Sequence, residues 1–460
     1  MAASSTLGLK RDLGAWSATS IVVGTIIGSG IFLVPASMVQ HVGTPEMVLL
    51  IWVFGGLLSL AGALSYAELA AALPEAGGEY VFLREAYGPL WGFLYGWTMT
   101  WVGKSGSIAT LATGFVYYLA NFLPALDRVV YSIGLPIGPR GGPLEISWGQ
   151  FLATGLILLL GFVNYWGVKL GGGVQVIFTA GKVGLILALI AVGLLAGGGS
   201  AENFRTSVAA AGGLAGFFAA LVGALWAYDG WNNVSMVSAE IKQPQRNLPR
   251  ALVGGTLTVI ALYLLTNLAY FYVLPASEVA QSDRVAATMM RKVLGDFGSA
   301  AVSILAMISM FGALNGSILA GARVPYAAAR DRLFFRTLAF VHPSHRTPSI
   351  AILAISGWAA LLVFSGRFEQ LFTYVIFAEW LLYGLTAAGV LVLRRKRPDL
   401  ARPYRTPGYP AVPVLFVLVA ACLLVATLLG SPRESLMGLG VIFAGLPWYF
   451  YWRRRAGVIC

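Results

Sequence analysis

Long apolar runs follow one another along the whole chain, separated by short polar segments. A membrane-crossing helix needs about 20 predominantly apolar residues. Twelve such runs, numbered here as spans 1 to 12, have approximate cores at 13–38, 46–71, 88–120, 148–166, 174–197, 212–239, 251–274, 298–328, 349–365, 370–393, 411–430 and 435–452. Because the runs are continuous rather than alternating, a transmembrane β-barrel is excluded. The pattern predicts an all-α integral membrane protein with about twelve transmembrane helices and no soluble domain.

Two of these spans are interrupted at membrane depth. Span 1 contains GTIIGSGIF at 24–32, and span 6 contains WAYDGWN at 226–232. A charged side chain near the bilayer centre costs ~2.5–3.5 kcal/mol, and glycine costs a helix interior about 1 kcal/mol relative to alanine. Glycine pairs also serve as packing devices between membrane helices, which is the simpler interpretation of the first interruption. If spans 1–5 and 6–10 are two repeats, however, the interruptions occupy corresponding positions, a pattern that points to a transporter binding site.

The chemistry of a broken membrane helix indicates what such a site binds. Unwound backbone at membrane depth is either buried in protein or lines a cavity. It leaves free N–H groups at the start of one half-helix and free carbonyls at the end of the other. The N–H end attracts an anion, and the carbonyl end attracts a cation. A zwitterion satisfies both ends, so these residues predict an α-amino acid as substrate, with Asp229 facing the cavity.

Composition and charge fit a membrane protein. The chain is 58% hydrophobic, only 11% charged and contains 56 glycines. If the N-terminus is cytoplasmic, 21 lysines and arginines lie on the cytoplasmic side, 8 lie in outer loops and 2 lie within spans, which accounts for all 31. This is the positive-inside distribution. We therefore expect a multi-pass plasma-membrane protein with both termini cytoplasmic, and the net charge of +12 indicates topology rather than a nucleic-acid partner.

A signal peptide is the alternative interpretation of 10–38, because Lys10 and Arg11 precede an apolar run. No small-residue cleavage site follows a short apolar core, which favours a first transmembrane span.

Several segments resemble the amino acid–polyamine–organocation superfamily, and within it the L-type amino acid transporter family. They are GTIIGSGIF, AELAAALPEAGGEY (67–80), EAYGPLWGFLYGW (85–97), WAYDGWN with the following VSAEIKQPQRNLPRAL, and ALNGSILAGARVPYAAARDRLF (313–334). Together they extend from residue 24 to about residue 397. The resemblance implies a LeuT-like fold that works by alternating access. It would consist of two inverted repeats of five spans, 13–197 and 212–393, followed by two additional helices at 411–452.

The resemblance also implies a set of substrate-binding residues. The amides of Ser29 and Gly30 would hold the substrate carboxylate, and Trp226 would be a gate over the bound ligand. Backbone carbonyls would hold the ammonium group. The full predicted substrate-binding set is Ile26, Ile27, Gly28, Ser29, Gly30, Trp226, Ala227, Asp229 and Glu379.

Lys182 in span 5 matches a position where many bacterial members of this family carry lysine. Its ammonium would replace the cation that sodium-coupled relatives bind between spans 1 and 8, which implies sodium independence. A lysine in mid-span is expensive and should be paired or poised to lose its proton. The alternative, in which the side chain reaches the membrane interface, is disfavoured because Lys182 lies several residues inside the span.

The sequence departs from the family in two places. The eukaryotic members form a disulfide with a glycoprotein through a cysteine between spans 3 and 4, but 121–147 contain none. We therefore expect no disulfide-linked heavy chain, and a monomer or weak homo-oligomer. The usual acidic pair after span 6 is Ala239-Glu240 here, which leaves one carboxylate for a cytoplasmic gate.

The remaining polar residues within spans leave alternatives open. Glu379 in span 10 either lies near the substrate side chain, takes part in proton coupling, or packs as a protonated acid. Glu68 is predicted to cap a helix or to form a pair at the cytoplasmic end of span 2. Lys104 either forms a structural pair, which is favoured, or contacts substrate side chains, and Asn315 is predicted to bond across helices.

The sequence thus predicts a sodium-independent exchanger of neutral α-amino acids. Proton-coupled uptake through Lys182 or Glu379, and transport of cationic amino acids or polyamines through Asp229, stay open as alternatives. A membrane enzyme or a non-transporting sensor is the remaining class. No catalytic residue, metal or cofactor is predicted: VGKS at 102–105 lacks the first glycine of a phosphate-binding loop, and His342 and His345 lack a third ligand.

Overall fold

The chain is almost entirely α-helical in a computed structural model that describes residues 8–134, 144–210, 212–365, 368–430 and 432–456. The first half contains α1 (Ala15–Ile26), α2 (Gly30–Val42), α3 (Pro45–Ala72), α4 (Glu79–Tyr87), α5 (Pro89–Thr98), α6 (Lys104–Leu119), α7 (Trp148–Tyr165) and α8 (Val168–Leu195). The second half contains α9 (Gly213–Ala227), α10 (Asn233–Met236), α11 (Pro244–Val273), α12 (Ala276–Ala280), α13 (Val285–Gly321), α14 (Arg323–Arg330), α15 (Ser349–Val363), α16 (Phe368–Lys396), α17 (Ala411–Gly430), α18 (Pro432–Phe443) and α19 (Gly445–Ala456).

These helices confirm the predicted all-α membrane class. Eight helical segments of the described chain are long and apolar enough to cross a membrane, and α9 and α15 are shorter apolar helices. The number of twelve spans stays a prediction. The largest difference at a helix start is in α13, which begins thirteen residues before the predicted core and contains the non-helical Gly295. α8 and α11 begin six and seven residues before their predicted cores. The first turn of α11 is polar but starts with Pro244, which suits the first helical position because it lacks an N–H.

Both predicted interruptions are breaks between helices. α1 ends at Ile26 and α2 begins at Gly30. In the sixth span, α9 ends at Ala227 and α10 begins at Asn233. α2 packs on α9, and α1 packs on α10, so the two breaks lie together at the centre of the bundle. Around them, α3 packs along α11, and α13 packs against α6 and α8.

Three local features were not predicted. Span 3 is continuous but contains a π-helical turn, Met99–Gly103, between α5 and α6. A β-hairpin joins α6 to α7, with β1 (Val129–Ile133) antiparallel to β2 (Leu144–Ser147). Short 3₁₀ turns occur at Pro124–Asp127, Ala201–Arg205, Ser238–Glu240 and Arg336–Ala339.

Candidate functional site

The two helix breaks touch through glycines. A Cβ atom added at Gly30 would lie 2.6 Å from Ala227 Cβ and 2.7 Å from Ala227 Cα. Gly230 has a φ of +109°, and its added Cβ would lie 2.9 Å from the Thr25 carbonyl carbon. The Thr25 hydroxyl shares its single proton between the Ile21 carbonyl of its own helix at 2.6 Å and the Gly230 carbonyl at 2.8 Å, and the second contact links the two breaks. Glycine is therefore required at both positions by close approach, and at Gly230 also by the left-handed backbone.

A cavity lies beside these breaks, and its empty space together with the open solvent at its mouth amounts to about 900 Å³. Its lining contains Thr25, Ile26, Gly28, Ser29, Gly30, Gly103, Gly106, Ser107, Ala109, Thr110, Leu111, Trp226, Ala227, Asp229, Gly230, Asn233, Ser317, Leu362 and Glu379. All predicted substrate-binding residues line this cavity except Ile27.

The start of α2 supplies unused hydrogen-bond donors to the cavity. Among the hydrogen bonds of the described residues, the N–H groups of Ser29 and Gly30 have no acceptor. A helix N-terminus carries a partial positive charge, so this end of the break suits an anionic group such as a carboxylate.

The carbonyl ends of the breaks are partly occupied. The Tyr263 hydroxyl lies 3.0 Å from the Ile26 carbonyl and 3.1 Å from the Ala227 carbonyl and shares its single proton between them. The Trp226 carbonyl accepts from the Asp229 amide at 3.0 Å. Because a carbonyl oxygen has two lone pairs, the Ala227 carbonyl keeps acceptor capacity, whereas the Trp226 carbonyl also receives the Tyr228 N–H. Tyr263 bridges the two broken helices from α11, a contact that no local sequence signal indicates.

Lys182 and Ile27 meet behind the break rather than in the cavity. The Lys182 ammonium donates to the carbonyls of Gly24, Ile27 and Ser309 at 2.9, 2.8 and 2.7 Å. The Ile27 carbonyl also accepts from the Ser309 hydroxyl at 2.8 Å, so its two lone pairs face Lys182 and Ser309. Lys182 is fully buried, which excludes the alternative that it reaches the interface. Its ammonium lies among carbonyls of spans 1 and 8.

Two carboxylates line the cavity. Asp229 accepts from the Tyr383 hydroxyl at 3.0 Å, and Glu379 is 7% exposed. Both lie close enough to interact electrostatically with each other, and Lys104 interacts with Glu379. The side of the cavity near α16 therefore carries two acidic side chains, with Lys104 close to one of them.

Glu79 is a buried acid whose role the sequence reasoning missed. Its carboxylate accepts from the side-chain amide of Asn232 and, at 3.4 Å, from the Ser235 hydroxyl. The preceding turn is bound to the same segment, because the Gly77 amide donates to the Met236 carbonyl at 2.9 Å. An acid directly after a Gly-Gly pair was the available signal. Glu79 fixes the second half of the broken span 6 to α4.

Ion pairs close the side of the bundle on which α1 begins. Arg323 and Glu240 are both fully buried and form two hydrogen bonds, at 2.7 and 2.8 Å. Leu13 is hydrogen-bonded to the backbone of Glu240 and Lys242 beside this pair. Glu68 is paired with Arg394, as predicted for a structural role, and Asn315 bonds across helices to Asn164 and Gln175.

Replacing Arg323 with glutamine should destabilise the protein because the Glu240 carboxylate loses its buried partner. The expected loss is about 3–5 kcal/mol, read as a lower melting temperature of the purified protein. Glu240→Gln/Arg323→Gln should recover most of that loss. If Arg323→Gln alone were as stable as the wild type, the pair would not be buried as described.

A bundle of membrane-length helices, broken at its centre around a cavity with free backbone donors, defines a membrane transporter. The profile of the amino acid permease family matches residues 13–446. The human b(0,+)-type amino acid transporter 1 is 36% identical over 449 residues, which cover 97% of this chain and 88% of that protein. The serine/threonine exchanger SteT of Bacillus subtilis (strain 168) is 33% identical, covering 97% of this chain and 98% of that one. The mouse Asc-type amino acid transporter 1 is 34% identical, covering 98% and 84%.

The chain therefore belongs to the amino acid permease family, as the resemblance indicated, and is a transporter rather than an enzyme. No group of three or more His, Cys, Asp or Glu side chains placed to hold a metal ion occurs among the described residues. Cys422 is a free thiol, and Cys460 lies outside the described residues.

Proposed function

We propose that this protein exchanges neutral α-amino acids across the plasma membrane, without sodium, by alternating access. The observation that carries the proposal is the pair of helix breaks beside one cavity. The free amides of Ser29 and Gly30 would bind the substrate carboxylate. The Ala227 carbonyl, which keeps acceptor capacity, would bind the ammonium group together with the backbone of Trp226 and Asp229.

The small residues on the α6 side of the cavity favour uncharged side chains of modest size. Gly103, Gly106, Ser107 and Ala109 line the cavity and leave room for the substrate side chain. Exchange is supported by the bacterial relative, which is named a serine/threonine exchanger. We propose that this chain also transports by exchange, but we do not assign it serine and threonine as substrates.

Sodium independence rests on Lys182. A sodium ion bound between spans 1 and 8 would need the backbone oxygens that the Lys182 ammonium already occupies. A tethered cation at this point stabilises the carbonyl end of α1 permanently, so no free cation needs to bind with the substrate.

We further propose the organisation that the resemblance implies: inverted repeats at 13–197 and 212–393, two additional helices at 411–452, and both termini in the cytoplasm. On this orientation the Arg323–Glu240 pair closes the cytoplasmic side, and the cavity extends towards Leu362 near the outer end of α15. No disulfide-linked heavy chain would be needed for transport.

The test is uptake of radiolabelled serine and leucine into sodium-free proteoliposomes, either empty or preloaded with unlabelled amino acid. Uptake only into preloaded vesicles is expected. Uptake into empty vesicles that follows an inward proton gradient would replace exchange with proton coupling. Binding without flux in any vesicle would identify a sensor instead.

Cationic amino acids are a second candidate class of substrate, favoured by the two carboxylates in the cavity. If Asp229 binds a cationic side chain, arginine should compete with leucine in the wild type. In Asp229→Asn, the arginine concentration that halves leucine uptake should then rise by about tenfold or more, the scale of one charge-assisted contact. Leucine exchange itself should be kept. Asp296→Asn, which changes an exposed aspartate, is the control. If arginine does not compete in the wild type, the neutral assignment stands.

A further inference from the structure

An arginine-rich patch lies on the same side of the bundle as the Arg323–Glu240 pair, away from the cavity. Arg332 and Arg336 lie in the segment after α14, and both are exposed. The last turn of α19 contains three consecutive arginines, Arg453, Arg454 and Arg455, of which the last two are exposed. These two segments are more than 100 residues apart in sequence.

Aromatic contacts bring the two segments together. The Trp452 ring lies 5.2 Å from that of Phe334 and 5.1 Å from that of Phe335, measured between ring centroids. Phe335 directly precedes Arg336, and Trp452 directly precedes Arg453, so the ring contact places both groups of arginines in one patch. Trp448, one turn earlier on α19, stacks on Trp97 at 6.0 Å.

The patch keeps its positive charge. None of the ion pairs among the described residues involves Arg332, Arg336 or Arg454. The neighbouring acid Asp331 is bound to Arg84 at 2.7 Å and does not neutralise them. The aromatic part of the patch is also open, since Phe335 is 48% exposed and Trp448 is 45% exposed.

We propose that this arginine–aromatic patch binds the headgroup of an anionic phospholipid, which fastens α19 to the segment after α14. Arginine binds phosphate through two parallel N–H donors, and tryptophan and tyrosine prefer the level of the lipid headgroups. Clustered basic residues directly after a membrane helix bind anionic lipid. An anionic phospholipid offers a phosphate for the guanidinium groups and acyl chains for the exposed rings, which fits both halves of the patch.

The proposal is tested by lipid binding to the purified full-length protein in neutral detergent, measured by native mass spectrometry with phosphatidylglycerol and phosphatidylcholine. We expect phosphatidylglycerol to be retained in preference. Arg332→Gln/Arg336→Gln/Arg454→Gln should weaken its binding by about tenfold or more. The matched control is Lys242→Gln/Arg246→Gln/Arg250→Gln, which removes the same charge from exposed positions around the start of α11 and should change binding less than about twofold.

Equal losses in the two triple variants would overturn the proposal, because they would show general attraction to a basic face rather than a site. Retention of both lipids alike by the wild type would also overturn it. Competition by millimolar inorganic phosphate that displaces the lipid completely would reassign the patch to free anions. Arg332→Lys/Arg336→Lys/Arg454→Lys, which keeps the charge, should fold and retain part of the preference. Because the measurement does not use transport, its outcome is independent of the proposed exchange.

Discussion

Replacing Gly30 with alanine is expected to reduce exchange by about 100-fold, the scale on which a misplacement of 1 Å acts on a positioned site. The added Cβ would lie 2.6 Å from Ala227 Cβ and 2.7 Å from Ala227 Cα, both far inside van der Waals contact. Because the obstacle includes backbone of α9, no side-chain rotation relieves it. The two helix breaks must move apart, and the amides at the start of α2 move with them.

Two glycines outside the site provide controls. An added Cβ at Gly155 in α7 or at Gly254 in α11 meets nothing within 4 Å, and neither residue lines the cavity. Gly155→Ala and Gly254→Ala should therefore retain exchange within a few-fold of the wild type. Exchange by Gly30→Ala at the level of these controls would show that the breaks do not meet as described.

The second large effect is expected from Lys182→Ala. The substitution removes the donor shared by the carbonyls of Gly24, Ile27 and Ser309. Each buried polar group left without a partner costs about 1–3 kcal/mol, so both melting temperature and exchange should fall sharply. The bend at the end of α1, which places Ser29 and Gly30 at the cavity, loses its support.

The vacated oxygens also suit a hard monovalent cation. Exchange and melting temperature of Lys182→Ala should therefore rise when sodium replaces choline, whereas the wild type should not respond. Lys169→Ala, an exposed lysine at the start of the same helix, is the control and should behave as the wild type. Wild-type kinetics in Lys182→Ala would remove the lysine from the transport mechanism. A loss that sodium does not restore would show that its role is structural support alone.

Local sequence was sufficient to predict the positions of the two helix breaks. Gly28, Ser29 and Gly30, and likewise Asp229 and Gly230, interrupt apolar runs whose continuation would have been favourable, and the backbone breaks at both places. The sequence also identified Lys182 as a mid-span cation that needs a partner. The sequence did not identify the partners of Lys182, because they are three backbone carbonyls from two distant helices. A backbone carbonyl leaves no side-chain signal in the sequence.

The remaining members of the site depend on contacts across the fold. Tyr263 bonds to carbonyls more than 35 residues away, and Glu79 bonds to Asn232 across 153 residues. Hydrophobic periodicity reports the environment of one helix and not the identity of its neighbour, so neither contact follows from it. Ile27 shows the same limit, since its carbonyl points away from the cavity towards Lys182 although its neighbours Ile26 and Gly28 line it.

The π-helical turn Met99–Gly103 affects how the chain is compared with its relatives. A π-turn accommodates one more residue than the α-helical turn that it replaces, and here it ends where Gly103, Gly106 and Ser107 begin to line the cavity. A relative with a regular third span would be one residue shorter within 99–103. An alignment without a gap there would pair every following residue of that span with the wrong counterpart, and would assign substrate contacts to a face rotated by about 100°.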